Sequence, residues 1–304
     1  MKEKNNYIEE ILRLKKEKNA VILAHYYQPL DIQRVADYIG DSFDLSMRAK
    51  NDPAQTIVFC GVSFMAETVK ILSPGKTVLN PNPHACCPMA RMTGRSQLLE
   101  LKKQYPGAAT VCYINTIAEV KAICDVCVTS STAVKIINRL EEQTVIFVPD
   151  KNLAGYVQKN TKKKIVSATG YCYVHNNFQE KLLTEAIQLH PDAEVIVHPE
   201  CPPGVIDRAH HVFSTSGILQ RVKESNAKKF IIGTEQGLLL KLKEMYADRI
   251  FYSIGPPGVC INMKKIRLSD IYESLINNTY EVEIPDDILA AAQNCLNRMI
   301  ELSK

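Results

Sequence analysis

Short apolar runs alternate along this chain with longer stretches in which apolar residues recur every three or four positions. The short runs predict buried β-strands, for example Thr144 to Val148 and Phe230 to Ile232. The longer stretches predict amphipathic helices, for example Leu153 to Lys159 and Gly237 to Met245. Strands that alternate with helices in this way indicate an α/β fold, in which helices cover parallel sheets.

The same pattern occurs three times. Each copy opens with an apolar run that leads into polar residues: Ala20 to Ala24 before His25, Thr110 to Cys112 before Tyr113, and Glu194 to Val197 before His198. The polar residues that follow these runs lie 88 and 85 positions apart. A second apolar run ends at a hydroxyl residue with the same two spacings, at Ser42, Ser130 and Thr215. A third strand and a helix complete each copy, so the chain is a threefold internal repeat.

The repeat predicts three homologous α/β/α sandwich domains with Rossmann-like parallel sheets, in a pseudo-threefold arrangement around a central cavity. We expect the first repeat to comprise residues 1–88 plus 264–304, the second 89–173 and the third 174–263. Ligands of parallel sheets bind beyond the carboxyl ends of the strands. The polar residues that follow the strands are therefore predicted to line the cavity.

The composition and charge of the chain argue against a membrane protein, a secreted protein and a nucleic-acid-binding protein. The chain has 304 residues, and none of its apolar runs approaches the roughly 18 residues of a membrane span. The segment Met1 to Lys18 is charged throughout and lacks the apolar core of a secretory signal, so we expect a soluble, cytoplasmic protein. Its net charge is only +4, and the basic run Lys162 to Lys164 predicts a solvated turn, so no nucleic-acid partner is expected.

The ten cysteines do not suggest a disulfide framework, since a cytoplasmic protein stays reduced. Three of them, Cys87, Cys172 and Cys260, keep the period of the repeat, at spacings of 85 and 88. Brought together, they could hold a zinc ion that has a fourth ligand, or a [4Fe–4S] cluster. Ligation by thiolates alone favours the cluster, and three thiolates leave one iron open to substrate.

The remaining cysteines are expected to serve mainly as packing residues. Cys60, Cys112 and Cys127 lie inside apolar runs, and Cys295 lies on the last predicted helix. The pair Cys124 and Cys127 has the spacing of a zinc or redox motif, but no second pair accompanies it.

Short motifs at the strand ends, in this order, resemble the quinolinate synthase family, the A protein of de novo NAD synthesis, from Ala20 to Leu268. The motifs are His25-Tyr26-Tyr27-Gln28, Gly40-Asp41-Ser42, Cys87-Pro88-Met89-Ala90, Tyr113-Ile114-Asn115, Thr129-Ser130, Cys172 with His175, His198-Pro199-Glu200-Cys201, Ser214-Thr215 and Cys260-Ile261-Asn262-Met263-Lys264. Two departures are visible. Pro257 replaces the second cysteine that some members carry, so no disulfide switch is expected there, and Tyr173 stands where we expect proline.

The resemblance implies a cytoplasmic enzyme with a [4Fe–4S] cluster on Cys87, Cys172 and Cys260. It implies that the enzyme condenses iminoaspartate, supplied by L-aspartate oxidase, with dihydroxyacetone phosphate to give quinolinate, phosphate and two waters. The open iron would assist the last dehydration as a Lewis acid.

The resemblance also implies a set of substrate-binding residues at the strand ends. They are His25, Ser42, Tyr113, Ile114, Asn115, Ser130, His175, His198, Pro199, Glu200 and Thr215. Ser42, Ser130 and Thr215 stand at strand-to-helix turns and are also expected to cap helices. Three such helix N-termini together would bind the carboxylates and the phosphate of the substrates.

Three of these residues, together with Tyr27, are candidates for catalysis. Glu200 is the one carboxylate among them, so we predict that it is the general base and acid, with a pKa raised by burial. His198 and His25 would help to move protons, and Tyr27 would orient the triose phosphate. Two alternatives stay open at this point: another [4Fe–4S] hydro-lyase acting on a hydroxy acid, and a zinc-stabilised or redox-sensing binding protein.

Overall fold

The structure is a computed structural model that describes the backbone of residues 2–304 and the side chains of residues 6–304. Within these ranges, twelve strands form three separate four-stranded sheets, in which every strand pair is parallel. The α/β class and the parallel sheets are thereby confirmed.

The first sheet is built from the N-terminal part of the chain. Its strands are β1 (Ala20–His25), β2 (Tyr38–Gly40), β3 (Thr56–Cys60) and β4 (Thr77–Leu79), in the order β2-β1-β3-β4. The helices of this segment are α1 (Lys2–Glu17), α2 (Leu30–Val35), α3 (Ser42–Asn51) and α4 (Ser63–Leu72).

The second sheet follows a short 3₁₀ helix at Met89–Arg91 and repeats the same strand order. Its strands are β5 (Ala109–Tyr113), β6 (Val126–Val128), β7 (Thr144–Val148) and β8 (Lys164–Ser167), in the order β6-β5-β7-β8. Its helices are α5 (Arg95–Gln104), α6 (Ala118–Lys121), α7 (Ala133–Arg139) and α8 (Lys151–Lys159).

The third sheet has the same order again. Its strands are β9 (Glu194–Val197), β10 (His211–Val212), β11 (Lys229–Gly233) and β12 (Ile250–Ser253), in the order β10-β9-β11-β12. Its helices are α9 (Tyr173–Asn176), α10 (Glu180–Leu189), α11 (Pro203–Ile206), α12 (Thr215–Glu224) and α13 (Gln236–Met245), and the chain ends with α14 (Leu268–Asn277) and α15 (Asp286–Ser303).

Helices cover both faces of the third sheet, because successive residues of a strand point to opposite faces. In β9, Val195 and Val197 pack with Leu183 of α10, whereas Ile196 packs with Ile218 of α12. The central strands are therefore apolar on both faces, as all five buried residues of β5 show. This is why their sequences are continuous apolar runs rather than alternating ones.

Each sheet has one strand more than the three predicted. The additional strands, β4, β8 and β12, lie at the sheet edges, and β8 begins and ends with exposed residues. In β8 this exposure removes the apolar run that identified the other strands. The domain boundaries and the pseudo-threefold arrangement stay predictions.

The predicted burial of four cysteines is confirmed, whereas the predicted exposure of a lysine run is only partly correct. Cys60, Cys112, Cys127 and Cys295 are all buried, as predicted. The prediction that Lys162 to Lys164 form a solvated turn is wrong for Lys163, which is 8% exposed and donates hydrogen bonds to the carbonyls of Leu140 and Glu142, both at 2.7 Å.

Among the described helices, none has the length and apolar character needed to cross a bilayer.

The last helix, α15, packs into the core around the second sheet. Its residues Cys295, Leu296 and Met299 are buried there, and Cys295 Sγ lies 3.6 Å from Cys112 Sγ in β5. A C-terminal segment thus completes the core of a sheet that precedes it by more than a hundred residues in the chain.

This packing gives the first testable prediction. Leu296→Ala should destabilise the protein by about 3 kcal/mol, because it removes a fully buried side chain and leaves a cavity. Asn294→Ala, at an exposed position of the same helix, should change stability little. Urea unfolding followed by circular dichroism measures both, and equal effects would contradict the packing of α15 described here.

Candidate active site

A cavity that admits the centres of water-sized molecules over about 80 Å³ and opens to solvent lies at the carboxyl ends of strands from all three sheets. Every residue that was predicted to bind substrate, to act in catalysis or to ligate metal lines it, except Pro199. The lining residues among them are His25, Tyr27, Ser42, Cys87, Tyr113, Ile114, Asn115, Ser130, Cys172, His175, His198, Glu200, Thr215 and Cys260. Pro199 lies in the chain between two of them.

A chain of hydrogen bonds between side chains runs across the cavity. Its successive contacts are Tyr113 Oη to Glu200 Oε1 at 2.6 Å, Glu200 Oε2 to His175 Nδ1 at 2.9 Å, His175 Nε2 to Thr234 Oγ1 at 2.9 Å, Thr234 Oγ1 to Tyr27 Oη at 2.8 Å, and Tyr27 Oη to Thr215 Oγ1 at 3.0 Å. Tyr113 ends β5, Tyr27 follows β1 and Thr234 follows β11. The chain therefore joins residues next to all three sheets.

Glu200 occupies the centre of this chain and is 3% exposed. Burial by itself raises the pKa of Glu200, but the neighbouring His175 and the hydrogen bonds from His175 and Tyr113 outweigh it and lower the pKa. The prediction of a raised pKa is therefore wrong. The partners that satisfy both carboxylate oxygens come from distant parts of the chain, and they keep Glu200 ionised.

His25 and His198 occupy equivalent places and have the same local geometry. The Nδ1 atom of His25 accepts a hydrogen bond from the amide of Tyr27 at 3.1 Å, and that of His198 from the amide of Glu200 at 3.3 Å. Burial lowers the pKa of each to about 3, with a smaller contribution from Lys264 at His25 and from His175 at His198. Each imidazole is therefore neutral, and its proton lies on Nε2.

The tyrosines of the cavity are also neutral hydrogen-bond donors. Burial raises the pKa of both Tyr27 and Tyr113 well above the ordinary value. Among the described side chains that line the cavity there is no lysine or arginine. An anion in this cavity would thus be bound by neutral donors and by helix N-termini, not by cationic side chains.

The helix caps differ from those predicted. Asp41 caps α3 through hydrogen bonds from the amides of Phe43 and Asp44, and Ser214 caps α12 through one from Gly217. Ser42 and Thr215 are the first helical residues, and Ser130 lies in the loop before α7. Because other residues cap the two helices, the hydroxyls of Ser42 and Thr215 are not used as caps and line the cavity.

One backbone hydrogen bond places each of the three predicted ligand cysteines. In each copy, the first residue of the helix after the third strand donates its amide to the carbonyl two residues before the cysteine. The pairs are Ser63 to Ala85 at 2.8 Å before Cys87, Lys151 to Gly170 at 2.8 Å before Cys172, and Gln236 to Gly258 at 2.7 Å before Cys260. A helix leaves its first amides without an internal partner, so each cysteine loop satisfies a helix start and is held beside it.

The arrangement of the three thiols suits a cluster better than a single ion. Ligand sulfurs of one tetrahedral zinc ion lie about 3.8 Å apart. Cys87, Cys172 and Cys260 do not form a set within 4.8 Å, although all three line the cavity. Burial raises the pKa of Cys87 to about 12, with further contributions from the nearby charges of Cys260 and Glu200. A polynuclear cluster spans a wider gap and would hold these sulfurs as thiolates.

Two buried carboxyl groups near the cavity were not predicted from the sequence. Asp150 and Glu235 precede the first residues of α8 and α13, and they lie 85 positions apart, which is a spacing of the repeat. Asp150 accepts hydrogen bonds from the amides of Asn152 and Leu153 at 2.7 and 2.9 Å. Their position in the repeat was the signal that could have identified them.

Glu235 connects a predicted ligand loop with the loop after β1. Its carboxylate accepts a hydrogen bond from the Cys260 amide at 3.0 Å and forms an ion pair with Lys264, also at 3.0 Å. The Lys264 ammonium in turn donates to the carbonyl of Tyr27. A side chain at Gly237 would meet the Tyr27 backbone at 2.8 Å, so the two loops approach too closely there for any residue but glycine.

Lys121 and Tyr173 support other parts of the wall. Lys121 is fully buried, and its ammonium donates to the carbonyls of Ile114, at 2.9 Å, and Thr116, which positions the loop that carries Asn115. The Tyr173 hydroxyl accepts a hydrogen bond from the Ile261 amide at 2.9 Å and lies 3.7 Å from Cys260 Sγ. Tyr173 therefore does more than replace a proline, because it contacts a predicted ligand.

Comparisons with known proteins give one consistent family. Residues 9–301 match the family model described as NadA, Quinolinate synthetase A protein. The chain is 48% identical over 295 residues to "Quinolinate synthase 2" of Methanosarcina acetivorans, covering 97% of this chain and 95% of that one. It is 47% identical over 298 residues to "Quinolinate synthase" of Alkaliphilus metalliredigens, covering 98% of each. It is 46% identical over 299 residues to "Quinolinate synthase" of Pyrococcus horikoshii, covering 98% and 99%.

The pairing of Glu235 gives the second prediction. Glu235→Ala leaves Lys264 and two backbone amides without their acceptor, and should destabilise the protein by about 2–4 kcal/mol. Glu244→Ala removes an ion pair with Lys241 on the exposed side of the same helix and should have little effect. Urea unfolding midpoints test both variants. A Glu235→Ala protein as stable as the Glu244→Ala protein would contradict the role given to Glu235.

Proposed function

The chain belongs to the quinolinate synthase family, and we propose that it condenses iminoaspartate with dihydroxyacetone phosphate to give quinolinate, phosphate and water. It would thus act in NAD biosynthesis, in the cytoplasm, on iminoaspartate supplied by L-aspartate oxidase. One observation of the structure carries the proposal: Glu200, with its hydrogen-bonded partners, lies in the same cavity as the three cysteines of the repeat.

Cys87, Cys172 and Cys260 are the residues proposed to hold a [4Fe–4S] cluster. Their thiolate chemistry and their place in one cavity fit such a cluster. When bound through three cysteines, the cluster supplies a Lewis-acidic iron with an open coordination position. Three copies with equivalent cysteine loops also support the proposed pseudo-threefold arrangement. The boundaries are proposed at residues 88/89, 173/174 and 263/264, with α15 of the first repeat packed on the second sheet.

The two substrates carry two carboxylates and one phosphate, and the cavity offers donors for all of them. The N-termini of α3 and α12, ten residues each, lie at the cavity and carry partial positive charge, which the Asp41 carboxylate partly offsets at α3. The Nε2–H groups of His25 and His198 and the side chains of Asn115 and Ser130 complete the set, with contacts to Ile114 and Pro199. Tyr27, held by Thr215 and Thr234, orients the triose phosphate.

Glu200 is proposed as the general base of the condensation. Its carboxylate is ionised, so it has lone pairs with which to accept a proton from substrate. The His175 Nδ1–H group donates a hydrogen bond to Oε2 at 2.9 Å and orients that oxygen. The Tyr113 hydroxyl, at 2.6 Å from the other oxygen, holds the carboxylate in place. His198 stacks on His175 with ring centroids 4.5 Å apart and presents its Nε2–H to the substrate.

A single assay tests the function. Full-length protein, purified and reconstituted with iron and sulfide without oxygen, should form quinolinate from iminoaspartate only when dihydroxyacetone phosphate is present. The alternative, a [4Fe–4S] hydro-lyase acting on a hydroxy acid, needs no triose phosphate. Turnover of a hydroxy acid without quinolinate formation would contradict the proposal, and so would a protein that takes up no iron in the reconstitution.

The ligand assignment gives a third prediction. Cys87→Ser, Cys172→Ser and Cys260→Ser should each lose the cluster's visible absorption and most of the iron, because each removes one of three ligands. Cys86→Ser is the matched control, since Cys86 is adjacent to Cys87 and does not line the cavity. Iron content and absorbance after anaerobic reconstitution measure the effect. Full cluster loading in any of the first three variants would contradict the assignment.

The role of Glu200 gives a fourth prediction. Glu200→Gln keeps the shape of the side chain but cannot accept the proton, so quinolinate formation should fall by about 10²–10⁴-fold. The cluster absorption should stay unchanged, since Glu200 is not a proposed cluster ligand. Steady-state assay and absorbance of the same preparation give both quantities. Normal turnover by the variant would show that Glu200 is not the base.

A further inference from the structure

The cavity contains a set of side chains suited to a single metal ion. Cys172 Sγ, a nitrogen of His175 and a carboxylate oxygen of Glu200 all lie within 4.8 Å of one another. Among the side chains that the structure describes, no other set of three or more histidine, cysteine or acidic residues does so. His175 Nδ1 lies 3.3 Å from Cys172 Sγ and 2.9 Å from Glu200 Oε2. Thiolate, imidazole and carboxylate are the ligands of zinc.

Two of the three spacings are close to what a zinc ion requires, and the third, between Cys172 Sγ and the Glu200 carboxylate, is at most 4.8 Å. Zinc–ligand distances of about 2.0–2.3 Å in a tetrahedral site place neighbouring ligand atoms about 3.3–3.6 Å apart. The observed contacts are shorter by at most a few tenths of an ångström, so small side-chain movements would admit the ion. The cavity beside them leaves room for water as the fourth ligand.

The atoms of His175 and Glu200 that would face away from the ion already have partners. His175 Nε2 lies 2.9 Å from Thr234 Oγ1, and Glu200 Oε1 accepts a hydrogen bond from the Tyr113 hydroxyl at 2.6 Å. Hydrogen bonds of this kind orient metal-ligating imidazoles and carboxylates and raise affinity for the metal. Both residues are at most 3% exposed, so the ligands are also ordered by packing.

We propose that the cluster-free chain binds one Zn²⁺ ion through Cys172, His175 and Glu200. The thiol of Cys172 releases its proton to solvent on binding, and its thiolate together with the Glu200 carboxylate balances the charge of the ion. Cys172 belongs to this set and also to the proposed cluster ligands. As far as the proposed function holds, the zinc ion and the cluster therefore exclude each other, and zinc opposes cluster assembly in proportion to its occupancy.

The proposed zinc site and the proposed cluster share Cys172 and differ in their other ligands, so substitutions of single ligands distinguish the two sites. Cys260→Ser removes a proposed cluster ligand and should leave zinc binding intact. His175→Ala removes a zinc ligand and should leave all three cluster cysteines available. Cys172→Ser should lose both metals.

The test uses the full chain, freed of cluster by a chelator without oxygen and titrated with Zn²⁺ alone against a chromophoric competitor. Wild type and Cys260→Ser should bind one Zn²⁺ per chain, and His175→Ala should bind at least about tenfold more weakly. Co²⁺, which binds such sites more weakly than zinc, should show a thiolate charge-transfer band in wild type and Cys260→Ser but not in Cys172→Ser. Equal zinc affinity in wild type and His175→Ala, or a cobalt band retained by Cys172→Ser, would overturn the zinc site.

Reconstitution with iron and sulfide distinguishes this inference from the proposed function. Zinc added beforehand should slow cluster assembly in wild type but not in His175→Ala, whose assembly also shows that the variant folds. Equal inhibition of both proteins would overturn the exclusion. If no cluster assembles in wild type, the proposed function fails while the zinc titration still decides whether the single-ion site exists.

Discussion

A carboxylate that is almost completely buried stays ionised only when its oxygens are hydrogen-bonded, and the structure of the cavity depends on how Glu200 meets this requirement. Its partners are Tyr113, at the end of a strand of the second sheet, and His175, which is held by Thr234 of the third sheet. Thr234 in turn bonds to Tyr27, which follows the first strand of the first sheet. The cost of burying one charge is thus offset only when all three sheets present their strand ends to the same cavity.

Much of this arrangement was predictable from the sequence, for a definite physical reason. The central strands are covered on both faces, so they are continuous apolar runs, and the strands Glu194–Val197 and Thr144–Val148 were predicted with the bounds observed. The spacing of the repeat identified the three cysteines and the polar strand ends. The fourth strand of each sheet was not predicted, and in β8 partial exposure removes the apolar signal.

What could not be predicted depends on contacts between distant segments. The pKa of Glu200 was expected to rise, since burial was visible in the sequence pattern but the partners Tyr113 and His175 were not. The ion pair of buried Glu235 with half-buried Lys264 was not predicted, because each residue type is usually found at a protein surface. The capping roles of Asp41 and Ser214, one residue earlier than expected, left Ser42 and Thr215 free to line the cavity, which sequence spacing alone does not resolve.

The central claim is that Cys87, Cys172 and Cys260 hold one cluster whose open iron faces the cavity of Glu200. Mössbauer spectroscopy of protein reconstituted with ⁵⁷Fe tests it most directly, with and without quinolinate added. We expect a [4Fe–4S] spectrum in which one iron of the four changes its isomer shift and quadrupole splitting when quinolinate binds. A cluster in which all four irons are unaffected by bound quinolinate would contradict it.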